Sequence, residues 1–389
     1  MRKIYNFDKI VDRQNTNCVK FDGMKDLFGR EDLIPLWVAD MDFRTPPFVL
    51  EALHRYLDNE VLGYPTAYPE WALSIKQWLL RRHQWHIEEE MLTFIPGIVK
   101  GQAFALLCFT KPNDKVLILS PVYHPFFLVT EKLGREVVRC PLCLEEGQYK
   151  IDFDCFRQAI KGCKLFILCN PHNPGGRVWT KEELMEMARI CHEHGVMVVS
   201  DEIHADLTLP PHKHLPFAAV SKEAAEISLT FMAPSKAFNM PALASSYAIA
   251  VDETIRTRFQ TFMEAGEFAW AHPFASIGTI AAYQKGDEWL DELLTYIKGN
   301  IDFLDDYLQK HIPQLSFIRP QASYLVFLDC RALGLSQEAL VSLFIDKAHL
   351  ALNDGSMFGV EGEGFMRLNV GCPRAVLAQA LKQLADALK

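Results

Sequence analysis

The sequence predicts an α/β protein with a mainly parallel sheet and a second, smaller α+β domain. Three observations support this prediction. Short apolar runs alternate with helical patterns through the middle of the chain, several of these runs are apolar throughout, and the pattern changes after about residue 286. Strands that alternate with helices are typical of a parallel sheet, and because such strands are buried on both faces, they are apolar throughout.

The strand candidates of the large domain are short and end in turn-forming or polar residues. They lie at residues 93–95, 116–119, 165–169, 196–200, 228–232 and 247–251. One intervening helix has clear boundary signals: Thr180 can cap its first turn, Glu183 completes a capping box, and Gly195 ends it before the next strand. This strand–helix–strand order favours a sheet with crossover helices.

The C-terminal part of the chain has a different pattern. A long helix with a core-facing stripe is predicted by apolar residues at helical spacing: Trp289, Leu293, Ile297, Ile301, Leu304 and Leu308. A strand-like stretch follows at 324–328, and a further helix begins at about Gln337. We therefore divide the chain into a large domain, residues 46–286, and a smaller domain formed by residues 1–45 and 287–389.

Composition limits the partners and the location of the protein. The chain has 389 residues, of which 49% are hydrophobic and 23% charged, and its net charge is −9. Nucleic acids and anionic membranes are unfavourable partners because both require a basic face. The first residues contain no apolar segment of the kind found in signal peptides or membrane anchors.

The ten cysteines follow no disulfide-framework spacing, so we expect reduced thiols and a cytoplasmic protein. Cys140 and Cys143 form one C-x-x-C pair, but no second ligand pair has matching spacing. The sequence therefore predicts no metal site.

Five predicted strands lead into residues that carry chemistry. They bring together a lysine (Lys236), an acid (Asp201), an amide (Asn173), an aromatic ring (Tyr123) and a helix start after residue 97. Each has an ordinary alternative, such as a turn, a helix cap or a solvated lysine. In open α/β sheets, however, ligands bind at the carboxyl ends of the strands. Together these groups are what a pyridine aldehyde with a phosphate arm requires.

Several motifs, in matching order, resemble the landmarks of fold-type I pyridoxal-phosphate (PLP) enzymes, the class I/II aminotransferase superfamily. They are residues 170–176 (NPHNPGG), 200–204 (SDEIH) and 233–239 (APSKAFN). Residues 37–43 (WVADMDF) and 63–65 (GYP) are similar to the MalY/PatB branch of cystathionine β-lyases and related cysteine-S-conjugate β-lyases. The resemblance implies the aspartate-aminotransferase-like fold with a mainly parallel seven-stranded sheet, PLP as cofactor, and a homodimer with shared active sites.

The resemblance also assigns roles around the cofactor ring. Lys236 matches the lysine that forms the Schiff base and then moves the Cα proton. Asp201 matches the acid that faces the pyridine nitrogen and keeps the ring protonated, which makes it a better electron sink. Asn173 matches the amide that binds the phenolic oxygen, and Tyr123 the aromatic side chain that stacks on the ring.

A different set of residues is expected to bind the phosphate of the cofactor. The backbone amides of Ile98 and Val99 match a helix N-terminus that binds phosphate. Ser235, directly before the lysine, is a candidate hydroxyl donor to that phosphate. Tyr64 matches a tyrosine that reaches the phosphate in the neighbouring subunit's site, with a packed surface tyrosine as the alternative. An arginine often found eight residues after the lysine is replaced here by Ala244, so phosphate binding must use other groups.

Three residues bear on substrate and reaction. Arg367 matches the arginine that holds the substrate carboxylate, for which a planar guanidinium is well suited; the alternative is a surface salt bridge. His124 lies either beside the substrate or behind the residues that touch it. His204 matches a residue close to the phenolic oxygen, and it replaces a tyrosine common in aminotransferases, which favours the lyase branch.

We therefore predict a PLP-dependent carbon–sulfur β-lyase. Its substrate would be a sulfur amino acid such as cystathionine or a cysteine S-conjugate, and its products a thiol, pyruvate and ammonia. A class I/II aminotransferase is the main alternative, since the same residues would serve it. A regulatory role through contact with another protein is a third possibility, on which the sequence gives no information.

Overall fold

The computed structural model describes residues 5–389. Its strands are β1 Ile34–Pro35, β2 Leu92–Ile95, β3 Lys115–Ser120, β4 Glu136–Pro141, β5 Cys143–Glu145, β6 Gln148–Lys150, β7 Cys163–Cys169, β8 Met197–Asp201, β9 Ser228–Met232, β10 Ser246–Ile249, β11 Ser316–Ile318, β12 Leu325–Asp329, β13 Leu350–Ala351, β14 Asn353–Asp354 and β15 Phe365–Asn369. Its α-helices are α1 Val19–Asp22, α2 Met24–Phe28, α3 Pro47–Leu57, α4 Pro69–His83, α5 Ile98–Phe109, α6 Pro125–Lys132, α7 Phe153–Ala159, α8 Lys181–Glu193, α9 Lys222–Ile227, α10 Glu253–Ala265, α11 Pro273–Lys285, α12 Asp287–His311, α13 Gln337–Ser342 and α14 Arg374–Ala387.

The largest sheet within residues 5–389 has seven strands in the order β2-β10-β9-β8-β7-β3-β4. Strands β9, β8, β7, β3 and β4 pair in parallel, whereas β10 is antiparallel to both of its neighbours. The predicted α/β class with a mainly parallel seven-stranded sheet is therefore confirmed. Because the parallel strands point the same way, their carboxyl ends form one edge.

All six strand candidates coincide with strands of this sheet, with ends that differ by at most two residues. These strands could be predicted because burial on both faces makes a strand apolar throughout. Every residue of β2, β9 and β10 is buried. Strand β4 was not predicted. It forms one edge of the sheet, and only one of its residues, Cys140, is buried, so it lacks the continuous apolar run that identified the others.

A second sheet, antiparallel and four-stranded, has the order β11-β12-β15-β14. Strand β1, near the start of the chain, pairs in parallel with β13. This pairing brings the N-terminal segment against the C-terminal hundred residues. The domain boundaries given above, 46–286 against 1–45 and 287–389, stay our proposal.

Both helices predicted in the C-terminal part of the chain are confirmed. Helix α12 buries all six residues of its apolar stripe, and α13 begins at the predicted Gln337. Helix α3 ends at Leu57, and Glu60 beyond it adopts a left-handed backbone (φ 61°) that a right-handed helix cannot contain. No helix in the described part of the chain is both long and apolar enough to cross a membrane.

The capping box of α8 is confirmed in both directions. Thr180 Oγ1 accepts a hydrogen bond from the Glu183 amide at 3.2 Å, and Glu183 Oε2 accepts one from the Thr180 amide at 2.7 Å. These two bonds satisfy amides that have no partner within the helix. They fix the start of the helix that leads into β8.

We expect Thr180→Ala to lower the free energy of unfolding by about 1 kcal/mol, because it removes one side of this capping box. Urea denaturation followed by circular dichroism measures the change. Thr295→Ala is the matched control, since Thr295 is exposed in the middle of α12. An equal loss in the two variants would show that the box contributes nothing specific.

Candidate active site

A cavity of about 180 Å³ lies at the carboxyl ends of the central strands. Eight of the residues predicted to bind a cofactor line it: Ile98, Val99, Tyr123, Asn173, Asp201, His204, Ser235 and Lys236. They come from five separate stretches of sequence, each of which begins where a strand ends. The structure therefore brings together in one place the groups that the sequence placed only at the ends of separate strands.

Lys236 lies four residues beyond the end of β9, in a turn where the Phe238 amide donates to the carbonyl oxygen of Pro234. Its Nζ donates a hydrogen bond to the carbonyl oxygen of Ala39. Burial lowers the pKa of Lys236 to about 8, and the nearby Asp40 only partly opposes this effect. At pH 7 about a tenth of this amine is therefore neutral, and hence nucleophilic.

Asp201 is the last residue of β8 and is buried at the floor of the cavity. Its Oδ1 accepts a hydrogen bond from the Ile203 amide at 3.1 Å. Burial raises the pKa of the Asp201 carboxyl to about 7, an effect that this hydrogen bond reduces but does not cancel. A cationic ligand group placed against Asp201 would stabilise the carboxylate, so the site favours a protonated ring nitrogen.

Arg367 lies on β15 and is only 4% exposed. Its Nη1 donates to Asn173 Oδ1 at 3.2 Å, and its Nη2 donates to Asn353 Oδ1 at 2.6 Å and to the carbonyl oxygen of Trp37 at 3.1 Å. Its Nε is buried without a partner. No carboxylate of residues 5–389 forms an ion pair with it, so the surface salt bridge considered above is excluded.

The electrostatic state of Arg367 follows from this setting. Burial lowers its pKa to about 10, which still leaves the guanidinium charged at neutral pH. A buried cation without an anionic partner is unfavourable unless a ligand supplies the negative charge. A substrate carboxylate would supply it, and a planar guanidinium can hold a carboxylate through two hydrogen bonds.

The part of the cavity formed by the start of α5 is suited to an anion. Helix α5 begins at Ile98, and its first internal hydrogen bond is donated by Gly101 to the carbonyl oxygen of Gly97. The amides of Ile98 and Val99 are therefore not used within the helix, which makes this terminus a phosphate-binding arrangement. Gly97 has a φ of 116°, which side-chain-bearing residues rarely adopt.

Ala244 occupies the position at which the family often carries a phosphate-binding arginine. Ala244 lines the cavity in a left-handed conformation, and Ser246, at the start of β10, lines it as well. Together with the buried Ser235 hydroxyl, Ser246 is a candidate for the missing phosphate contact. Ser246 was not predicted from the sequence, because a serine at a strand start has no distinctive pattern.

Tyr123 and His204 both line the cavity. The Tyr123 amide donates to the carbonyl oxygen of Asn173 at 3.0 Å, which ties two of the motif loops together. His204 is buried, and burial lowers its pKa to about 3. The imidazole of His204 is therefore neutral and its Nδ1 has no partner among the described residues, so it is available to a ligand.

Three predicted residues do not line the cavity: Arg367, which contacts the lining residue Asn173, and His124 and Tyr64. His124 is half-buried beside Tyr123, with ring centroids 5.1 Å apart. Its Nδ1 is buried without a partner, and burial together with Arg367 lowers its pKa to about 4. Tyr64 is fully exposed, and within this chain it does not reach the cavity.

Residues 37–41 form a wall of the site that the sequence analysis did not assign. The carbonyl oxygen of Ala39 accepts from Lys236 Nζ and, at 3.0 Å, from Tyr324 Oη. Asn369 Nδ2 holds the same segment through the carbonyl oxygens of Val38 and Asp40, at 2.6 and 2.7 Å. These residues belong to the WVADMDF motif, which is the sequence feature that could have identified them.

The described residues contain no cluster of three or more His, Cys, Asp or Glu side chains suited to a metal ion. A buried lysine, a buried acid, a free helix terminus and a flat aromatic wall fit a phosphorylated pyridine aldehyde.

Comparisons with known proteins give a consistent result. The sequence profile of the family described as aminotransferase class I and II matches residues 31–384. Cystathionine β-lyase PatB of Bacillus subtilis is 43% identical, over 98% of this chain and 100% of its own length.

Among solved structures, cystalysin from Treponema denticola, which contains PLP, has a TM-score of 0.96 at 34% identity and covers 99% of each chain. The PLP-bound C-S lyase from Staphylococcus hominis has a TM-score of 0.91 at 34% identity and covers 100% of this chain and 99% of its own. The family profile, the sequence identity and the similarity of the backbone therefore all extend over nearly the full length of this chain. The chain belongs to the aminotransferase class I and II family.

Proposed function

We propose that this chain is a PLP-dependent carbon–sulfur β-lyase that converts cystathionine and related cysteine S-conjugates to a thiol, pyruvate and ammonia. The observation that carries the proposal is the 43% identity to a cystathionine β-lyase over that enzyme's full length. The cavity supports it, because the lysine, acid, amide and free helix terminus that PLP chemistry requires all line the same space.

The groups around the cavity can hold each part of the cofactor. Asp201 would face the ring nitrogen, Asn173 would bind the phenolic oxygen, and Tyr123 would stack on the ring. The first amides of α5 and the Ser235 hydroxyl would bind the phosphate. When bound, PLP supplies an electron sink for the negative charge that develops at Cα of the substrate.

Lys236 would carry the cofactor and then act as a base. Its pKa of about 8 keeps part of its Nζ neutral near pH 7, so that it can take the proton from Cα. Arg367 would hold the substrate carboxylate and fix the orientation of the Cα–H bond. Loss of the Cα proton and departure of the β-thiolate complete the elimination, and water then converts the remaining fragment to pyruvate and ammonia.

A transaminase remains the second candidate, because the family includes aminotransferases in its description. Both reactions begin with removal of the Cα proton, and they differ in where the proton goes next. The neutral His204 stands where many aminotransferases carry a tyrosine, and this supports the lyase.

We also propose a homodimer in which each site contains Tyr64 of the partner. Support comes from a concentration of exposed apolar side chains around this residue: Val61 is 75%, Leu62 63% and Trp270 68% exposed. The segment that follows Tyr64 and the region of Trp270 line one cleft of about 870 Å³. Exposed apolar surface of this kind commonly marks a contact between subunits.

A cytoplasmic location is a further proposal. All ten cysteines, each within the described part of the chain, are free thiols. Proteins exported to oxidising compartments commonly convert such thiols to disulfides.

The direct test of the function supplies the PLP-loaded protein with L-cystathionine and, separately, with L-alanine and 2-oxoglutarate. We expect thiol, pyruvate and ammonia in equal amounts from the first mixture and little glutamate from the second. Lys236→Ala protein is the control. Rapid glutamate formation without thiol release would make the protein a transaminase.

Asp201→Asn should lower kcat for cystathionine about 10²–10³-fold while the fold is retained, because an amide of the same shape cannot hold the ring nitrogen protonated. Steady-state kinetics at saturating PLP measures the effect. Asp252→Asn is the matched control, since Asp252 caps α10, and asparagine is an equally good cap. Turnover near that of the wild type would mean that Asp201 is only structural.

Arg367→Ala should lower kcat/KM for cystathionine by about 10- to 150-fold, corresponding to loss of charged hydrogen bonds worth about 1.5–3 kcal/mol. Affinity for PLP should change little, which absorbance titration checks. Arg331→Ala, which removes an exposed arginine paired with Asp329, serves as the control. Loss of PLP with unchanged substrate affinity would show that Arg367 belongs to the cofactor site.

The shared-site proposal predicts complementation between two impaired proteins. In a mixed dimer of Lys236→Ala and Tyr64→Ala chains, one site carries both lesions and the other carries neither. Random exchange of equal amounts should therefore restore about a quarter of wild-type activity, because half of the dimers are mixed and each has one intact site. Subunit exchange is verified by native mass spectrometry.

Differently tagged Lys236→Ala chains, mixed with each other, provide the baseline. If exchange is verified and activity stays at the sum of the two parent proteins, Tyr64 does not act in the partner's site.

A further inference from the structure

Three cysteines lie close together at one edge of the large sheet, outside the cofactor cavity. Cys140 belongs to β4, Cys143 to β5 and Cys155 to α7. The Cys140 thiol donates a hydrogen bond to Cys155 Sγ, with 3.3 Å between the two sulfurs. No other two of the ten cysteines, all of which lie within residues 5–389, are hydrogen-bonded to each other. We call Cys140 and Cys155 the dithiol pair.

The C-x-x-C motif of the sequence is divided by this arrangement. Cys140 has no exposed surface and belongs to the same apolar core as Phe156 of α7, whereas Cys143 is exposed. Cys155, in the first turn of α7, is half-buried. The sulfur next to Cys140 therefore belongs to a residue 15 positions further along the chain, a spacing that no sequence motif indicates.

The dithiol pair is close to the geometry of a disulfide. A disulfide bond is about 2.05 Å long, so the two sulfurs would have to approach by roughly 1.3 Å from their separation of 3.3 Å. The described residues place no metal-binding cluster around them. In proteins whose other thiols stay reduced, a disulfide is usually transient and serves catalysis or redox sensing.

The two thiols of the pair differ in reactivity. Burial and the hydrogen bond to Cys155 raise the pKa of the Cys140 thiol well above its usual range. Cys140 is therefore protonated and closed to solvent, and because the thiolate is the nucleophile, Cys140 does not react first. Cys155 can be reached from solvent. A reagent meets Cys155 first, and Cys140 is in position to attack the product.

The segment between the two cysteines contains the β5–β6 hairpin and packs against a loop of the active site. Tyr149 of β6 is buried, and its ring centroid lies 5.6 Å from that of His172. Its carbonyl oxygen accepts a hydrogen bond from Arg177 Nε at 3.2 Å. His172 directly precedes Asn173, the amide expected to bind the cofactor ring. A covalent link between the ends of this segment would therefore restrain the hairpin that supports the Asn173 loop.

We propose that the dithiol pair is a reversible redox modification site, which a low-molecular-weight disulfide oxidises to an intramolecular Cys140–Cys155 disulfide that restrains the β5–β6 hairpin. The Cys155 thiolate attacks the reagent disulfide, forms a mixed disulfide and releases one thiolate of the reagent. Cys140 then loses its proton to solvent, attacks the Cys155 sulfur and displaces the second thiolate. Two protein thiols are oxidised, and one reagent disulfide is reduced to two thiols. The inference does not depend on the proposed lyase function.

The first test incubates the reduced, PLP-loaded protein with 2-hydroxyethyl disulfide, alkylates the remaining thiols and maps the cysteines by proteolysis and mass spectrometry. We expect peptides linked through Cys140 and Cys155 in most chains, and dithiothreitol should restore both thiols. Cys143 should form no link within the chain. A bond from Cys140 to Cys143, or a Cys155 that stays in the mixed disulfide, would overturn the inference.

Three variants test the order of the steps. Cys143→Ser is the matched control, because it removes an exposed thiol of the same cluster, and it should form the link as the wild type does. Cys140→Ala should stop at a stable mixed disulfide on Cys155, since the resolving thiol is gone. Cys155→Ser should leave Cys140 unmodified, because Cys140 is closed to solvent. Rapid modification of Cys140 in that variant would contradict the proposed order. The mapping of wild-type protein decides the inference even if Cys140→Ala does not fold.

Hydrogen exchange followed by mass spectrometry measures the restraint on the hairpin. Closing a loop of 15 residues lowers the entropy of the opened segment, which corresponds to up to about 100-fold in its opening equilibrium. Amides of residues 142–153 should therefore exchange about ten- to 100-fold more slowly after oxidation, whereas those of α12 should not change. The same treatment of Cys155→Ser protein should slow neither region. Unchanged exchange in chains shown to carry the link would overturn the inference.

Discussion

Burial of charged side chains without charged partners is the constraint on which this site depends. Asp201 and Lys236 line one cavity, and Arg367 contacts Asn173, which lines it as well. None of the three charged residues forms an ion pair with any residue between 5 and 389. Desolvation moves all three pKa values toward the neutral forms, to about 7, 8 and 10. A cofactor with a cationic ring nitrogen and an aldehyde, together with a substrate carboxylate, would relieve each of these costs.

The fold supplies this arrangement by joining two sheets at one edge. Strands β8 and β9 end in the acid and lead to the lysine, while β15 of the antiparallel sheet carries the arginine. Residues 37–41 close the gap, because Ala39 binds Lys236 and Trp37 binds Arg367 through their carbonyl oxygens. Movement of the N-terminal segment would therefore disturb the hydrogen bonds of Lys236 and Arg367 together.

Much of this could be predicted from the sequence, because strands buried on both faces have a distinctive composition and parallel strands align their carboxyl ends. Edge strand β4, with one buried residue, lacked that signal. Asn353 and Ser246 were missed because short or irregular segments have no periodicity, and their contacts depend on the packing of distant elements. The Tyr64 side chain is fully exposed in the single chain, so its contacts could not be deduced from this chain alone.

The central claim is that this cavity holds PLP covalently through Lys236 alone. Borohydride reduction of the PLP-loaded protein, followed by proteolysis and mass spectrometry, tests it most directly, since reduction makes the lysine–cofactor bond permanent. We expect one modified peptide, containing Lys236, at close to one cofactor per chain. Modification of a different lysine, or of many lysines at low occupancy, would contradict the account.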